Sequence, residues 1–205
     1  MELDDDERSV SSKKEQLIRV ATDLFSRHGF HPVGIDRILS DAGVARMTLY
    51  NHFPSKDALI YAVLERRFQD IMASIHGSVE QTASGKEQLR AIFAWHETWF
   101  GTPEFSGCLF ERALAEFGTD HPKISAVAIR YKKTMTAWMS EMLKTFLPEQ
   151  AAASISSLLM ILLDGATIDA RAFGDPTIAT RAWKAAEAII KQETATAASE
   201  SVRRR

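Results

Sequence analysis

Several protein classes are excluded by what this sequence lacks. One cysteine, Cys108, stands in 205 residues, so no intrachain disulfide framework can form and a reducing compartment is expected. No apolar run approaches the roughly 18–20 residues of a membrane span, which predicts no membrane partner. The opening MELDDDERSV is acidic and leads into no apolar stretch, so it does not read as a secretory signal, and a cytoplasmic protein is expected. Neither G-x-x-x-x-G-K nor G-x-S-x-G occurs, which removes the phosphate-cradling loop and the nucleophile elbow. The nearest approach to a metal motif is WHETWF at 95–100. It fails because Phe100 stands where H-E-x-x-H needs its second histidine. No catalytic residue, metal ligand or cofactor is therefore nominated. A rival reading, a helical enzyme or small-molecule carrier, would need the fold to bring Cys108 to His96 or His121.

Charge of one sign is also lacking, because the net charge is only -2. Its distribution is uneven. Glu2, Asp4, Asp5, Asp6 and Glu7 crowd the start, whereas residues 8–57 carry more Lys and Arg than Asp and Glu, with His28, His31 and His52 besides. A mildly basic module follows an acidic tail. At the other end SVRRR forms a small basic tail.

What is present is helical periodicity, with almost no β-alternation, so the fold class is all-α with about nine helices. SKKE at 12–15 is a capping box that starts a first helix, which carries Leu17, Ala21, Leu24, Phe25 and His28 on one face and stops at Gly29. Short helices are expected at Ile35–Ala42 and Ala45–His52. Ser55 caps a fourth running to about His76. A second block follows. Ser84 and Glu87 cap a fifth helix that ends at Phe100, GCLFERALAEF is a sixth, and Pro122 starts a seventh that runs to about Phe146. Pro148 opens an eighth that ends near Phe173-Gly174, and Asp175-Pro176 caps a ninth to about Glu193. The expected division is a disordered tail at 1–11, a small helical domain at 12–57, a larger helical body at 58–194 and a disordered tail at 195–205.

The stretch AGVARMTLYNHFPSK, from residue 42, is the most informative. Two short helices joined by a tight turn through Gly43 suggest a helix-turn-helix. Val44 and Leu49 would bury against Ile38 and Leu39. Arg46 opens the third helix and Lys56 the fourth, where the positive end of the helix dipole disfavours a cation. A bound phosphate would reconcile both positions. Tyr50 lies one turn after Arg46 on the same outward face, and His52 follows at the helix end.

On these residues VGIDRILSDAGVARMTLYNHFPSKDALIYAV (33–63) resembles the DNA-binding domain of the TetR family of bacterial transcriptional regulators, with TLYNHFPSKDAL as the most specific part. The likeness covers about residues 12–65. It implies a third helix in the major groove of an operator. Ala45, Arg46, Met47 and Thr48 would face bases, and Tyr50, His52 and Lys56 would grip phosphates, with Asn51 beside them. The sequence departs from the usual family pattern in three places. Val33 or Gly34 and Ala45 stand where Thr or Ser commonly cap the second and third helices, and Met47 often corresponds to a glycine.

The body is rich in large rings: Phe93, Trp95, Trp99, Phe100, Phe105, Phe110, Phe117, Tyr131 and Trp138. At helical spacing such rings are core. The resemblance implies an effector pocket among them for a small apolar or reactive molecule, with Trp95, His96, Trp99, Cys108, Arg112, Tyr131, Trp138 and Asp164 as its candidate residues. Asp164 interrupts the apolar ISSLLMILLDGA and needs a partner if buried. Cys108 is either a small packed residue or a thiol made reactive near a helix N-terminus. The eighth and ninth helices are apolar on more than one face, which calls for a second surface. A homodimer is expected through them, with Leu159, Leu162, Ala166, Trp183, Ala186 and Ile189 in or near the interface. Together these expectations describe a repressor that leaves a palindromic operator when its effector binds.

Overall fold

A computed structural model of the chain describes residues 3–80, 82 and 84–203, with side chains described from Ser12 onward except at 81, 83, 198 and 200–205. Among the described residues there are nine helices and no strand: α1 Leu3–His28, α2 Ile35–Ala42, α3 Arg46–His52, α4 Lys56–Val79, α5 Gly85–Phe100, α6 Leu109–Phe117, α7 Pro122–Lys144, α8 Glu149–Phe173 and α9 Ile178–Arg203. Most boundaries follow the punctuation in the sequence. Ser84 accepts the Glu87 N–H as the cap of α5, Ser55 Oγ accepts the Ala58 N–H at the start of α4, and Asp175 accepts from Thr177 just before α9. The outer ends differ. Helix α1 begins at Leu3 rather than Ser12, and α9 runs to Arg203, so the stretches assigned to tails are largely helical. No Gly or Pro stands between Leu3 and Ser12 or between Glu193 and Arg203, so nothing in either stretch breaks a helix once its neighbour has formed.

The chain forms two compact units by its own contacts. One contains the chain to Asp70 together with Cys108–Ile129; the other contains Ile71–Gly107 and the chain from Arg130 on. In the first unit Leu17, Ala21 and Phe25 of α1, Ile38 of α2, Leu49 of α3 and Leu59, Val63 and Leu64 of α4 are all buried. His28, expected on that face, is exposed. Phe30 follows α1 and lies 5.0 Å from the Phe25 ring and 5.4 Å from that of Phe117 in α6. The turn between α2 and α3 requires Gly43, whose φ of 60° is left-handed. Through it Val44 N–H donates to Leu39 O at 3.2 Å, and Gln16 of α1 donates to Ala42 O at 2.8 Å.

In the second unit α8 and α9 pack along each other and α5 packs on both. Phe100, Ala166, Ala170, Ile178 and Ala179 form one cluster, with Trp99, Phe105 and Ala182 against it. Helix α8 corrects the expectation about apolar runs. By length and composition alone it is long and apolar enough to cross a membrane, although nearly half of that stretch is buried inside the protein. Of the residues expected in or near a dimer interface, Leu159, Ala166 and Ala186 are buried within the chain itself. Leu162, Trp183 and Ile189 are half-buried, and Trp183 packs on Phe93. The apolar residues that α8 turns outward are Leu158, Ile161, Ile168 and Phe173. A Cβ built on Gly165, on the same stripe, would meet nothing within 4 Å.

Candidate nucleic-acid interface

Helix α3 is held by one side and presented by the other. Leu49 is fully buried, and Phe53, just past the helix, is nearly so. That anchoring turns Arg46, Met47, Tyr50 and Asn51 outward, while Thr48 and His52 are half-buried. Met47 is 73% exposed, the most open large apolar side chain among the described residues of the first unit, and Tyr50 is 42% exposed. Ala45 is exposed as the N-cap of α3 and Gly34 is the N-cap of α2; neither position carries a side-chain cap. Backbone N–H groups at both helix starts therefore receive no oxygen from a capping side chain.

The two cations at helix starts have acceptors within the chain itself. The Arg46 guanidinium donates through Nη2 to Asp36 Oδ1 in the first turn of α2, and both side chains remain largely exposed. Lys56 Nζ donates to His31 O at 3.3 Å. Partial burial lowers the Lys56 pKa from its ordinary value, opposed by the nearby carboxylates of Glu116 and Asp57. Glu116, in α6, accepts the Phe30 N–H at 2.9 Å and the His31 N–H at 2.8 Å, and the His31 ring reaches Glu116 O. His121 Nδ1 lies 3.3 Å from Asp57 Oδ2 and its ring packs edge-on to Phe117. Asp36 and Glu116 are the residues that the sequence pattern did not reveal. Asp36 reads as an ordinary first-turn acid, and Glu116 lies 85 residues from its partner His31.

The candidates for an effector site are divided between the two units. Cys108 and Arg112 belong to the first unit, where Cys108 is the half-buried N-cap of α6. The other six belong to the second. Trp95, His96 and Trp99 cluster with Phe100 and Phe105 at ring separations of 4.9–6.0 Å. His96 is buried and its Nδ1 bonds Ile92 O at 2.8 Å; burial pushes its pKa down to about 4. Asp164 finds the partner its position demands, accepting from Lys132 at 2.6 Å. Tyr131 is buried. Trp138 stacks on His76 at 4.0 Å, and Trp95 Nε1 donates to Ser74 Oγ, so two of the ring residues engage the last turns of α4. A groove of ≈ 880 Å³ lined by Ser84, Gly85, Phe146, Ile190 and Thr194 contains none of the six. No group of three or more His, Cys, Asp or Glu among the described residues could hold a metal ion.

The outward face of α3 thus carries a cation, an apolar tip and hydrogen-bond donors, the side-chain types that meet double-stranded DNA. A family profile described as "Bacterial regulatory proteins, tetR family" matches residues 17–63, from the middle of α1 into the first third of α4. Among curated proteins, the chain is 34% identical over 79 residues to the HTH-type transcriptional activator FasR of Mycolicibacterium smegmatis, covering 38% of this chain and 36% of that one. It is 45% identical over 64 residues to the HTH-type transcriptional regulator RutR of Escherichia coli, covering 31% and 30%. The matched segment thus spans about a third of the length of these curated relatives. Among solved structures, a TetR-family transcriptional regulator from Streptomyces coelicolor superposes with a TM-score of 0.83 at 28% identity, over 90% of this chain and 97% of that one.

Proposed function

We propose that the chain, whose residues 17–63 match the TetR family of bacterial regulatory proteins, is a transcriptional regulator of that kind: a cytoplasmic homodimeric repressor released from a palindromic operator by a small molecule. The observation that carries this reading is the face of α3. Leu49 buries one side of a seven-residue helix, and Arg46, Met47 and Tyr50 project from the other. In this reading α3 lies in the major groove. Arg46, Met47 and Thr48, with Ala45 at the helix start, address base edges, and Tyr50, Asn51, His52 and Lys56 take phosphates.

The dimer is formed by the outward stripe of α8, Leu158, Ile161, Gly165 and Ile168, against its symmetry mate, with α9 alongside. Exposed apolar residues at helical spacing, together with a glycine that permits close approach, support that assignment. The effector is small and apolar or reactive and occupies the ring-lined part of the second unit. Helix α4 is the connection. It starts at Lys56 beside the reading helices, and its last turns hold the Trp95 and Trp138 contacts. A ligand among those rings lowers DNA affinity only as far as it binds one placement of α4 better than another.

Selection of binding sites from random duplex DNA by the purified chain tests the reading. The expected product is an inverted repeat whose half-sites lie one helical turn or a multiple apart. Binding without sequence preference would remove the proposed function. A promoter reporter then separates repression from activation.

A further inference from the structure

We propose that Asp36 sets the base preference of Arg46 by gripping one edge of its guanidinium, so that the remaining N–H groups are held ready for a guanine. The inference rests on α3 being the helix that reads DNA. An unrestrained Arg on a helix end is a long, flexible cation that falls as readily on a phosphate as on a base, and phosphate contacts carry no sequence information. Here Arg46 is restrained. It donates through Nη2 to Asp36 Oδ1, across from α3 to α2.

Three further features make that grip effective. Asp36 lies in the first turn of α2, where the helix dipole favours a carboxylate. Helix α2 is itself tied to α3 through the Gly43 turn and to α1 through the Gln16–Ala42 hydrogen bond, so the carboxylate stands on a fixed element. Arg46 and Asp36 side chains are 58% and 80% exposed, so DNA can reach the pair without a rearrangement. The guanidinium has five N–H donors and the grip on Asp36 occupies one. Bidentate contact with guanine O6 and N7 needs two. The pair is also close to neutral as a unit, so Arg46 gains little from a phosphate and keeps its advantage for a base edge. Asp36 is thus a positioning residue; the base contact belongs to Arg46.

The experiment is a set of binding titrations at two salt concentrations, on the selected operator and on its single-base variants. It uses the full-length chain and the Asp36→Asn, Asp36→Ala, Arg46→Ala and Asp36→Ala/Arg46→Ala variants. A thermal unfolding scan of each variant shows that it is folded. A good bidentate pair discriminates by about 5- to 150-fold. Arg46→Ala should abolish that preference at one guanine in each half-site. Asp36→Asn and Asp36→Ala should lower the preference at the same guanine by about fivefold or more, leave the other positions unchanged and tighten binding to unrelated DNA. In the Arg46→Ala background the loss of Asp36 should change nothing at that position. Uniformly tighter binding with the guanine preference intact would mean that Asp36 only repels phosphate, and overturns the proposal. Loss of preference at a neighbouring base pair would mean that Asp36 reads a base itself, and overturns it too. If the unmodified chain selects no sequence, the DNA-reading function falls and this inference with it.

Discussion

Glu116 of α6 accepts the backbone N–H groups of Phe30 and His31, at 2.9 Å and 2.8 Å, and so fixes the turn that leads into α2. Gly29 makes the approach possible. Its φ of 92° is left-handed, and a Cβ there would stand 2.7 Å from Glu116 Oε1.

Loss of this clasp should show in stability. Glu116→Ala leaves the part-buried Phe30 N–H and the exposed His31 N–H without their acceptor, a loss of about 1–3 kcal/mol that comes mainly from Phe30. Glu116→Gln keeps an acceptor oxygen and should fall between the parent and the alanine variant. Gly29→Ala adds backbone strain of about 1–2 kcal/mol before any clash is counted. Urea unfolding followed by circular dichroism measures all three. Midpoints unchanged for Glu116→Ala would show that water serves the two N–H groups as well as the carboxylate does.

The uncapped start of α3 offers a change in the opposite direction. Ala45 has the extended backbone of an N-cap, with φ -68° and ψ 148°. Ala45→Ser places a hydroxyl where it can accept an α3 N–H and should raise stability by about 1 kcal/mol. A lower unfolding midpoint would show that the hydroxyl does not reach the helix end.

Donors at the reading surface should divide by task. Lys56→Ala should weaken binding to every sequence alike and reduce the salt slope by about one unit. Arg46→Ala should lose about 1–3 kcal/mol on the operator and relax one base preference. Titrations across several salt concentrations make the distinction. Equal losses on all sequences for Arg46→Ala would identify it as a phosphate clamp.

Buried His96 gives the stability a pH dependence. Its folded pKa is about 4 against the ordinary 6.5 of an unfolded chain. Between those values the unfolded chain binds the extra proton, so stability rises with pH across that window. The contribution is complete above about 6.5 and is lost as pH falls toward 4, amounting to roughly 3 kcal/mol. His96→Gln, which cannot titrate, should remove this part of the slope in urea midpoints measured at pH 7, 6 and 5. An identical slope in the variant would assign the acid sensitivity to other groups.

The α8 stripe carries the oligomer prediction. Ile161→Glu and Ile168→Glu place charges on exposed apolar sites and should convert a dimer to a monomer in sedimentation runs at micromolar concentration. If both variants stay dimeric, the contact lies elsewhere. Because each site is already more than half exposed in the single chain, neither substitution should unfold it.

Helix content and order were readable from the sequence because breakers and caps are local signals: Gly43, Ser84, Gly118, Pro122 and Gly174 each stand at a helix boundary. The outward face of α3 was readable too, since burying Leu49 in a seven-residue helix settles which residues turn away. Other features depend on pairs far apart in the chain and left no such mark. Glu116 meets His31 across 85 residues, and Asp36 meets Arg46 only once Gly43 has turned the chain. In α8, apolar residues occupy both faces, so composition could not say which face the protein keeps for its own core. The structure gives Leu159 to the core and Ile161 to the outside.

The reading module is discontinuous in the chain, and that limits how it can be moved. The family profile ends at Val63, but the contact unit also takes in Cys108–Ile129, which supplies Phe110, Glu116 and Phe117. A gene fragment cut after the motif would encode α1 to α3 without the ring that covers Phe30 or the carboxylate that holds its turn. A chimera meant to give this DNA specificity to another sensor must therefore carry α6 along with the motif. Natural recombination faces the same geometry, since one crossover cannot transfer a part that the chain visits twice.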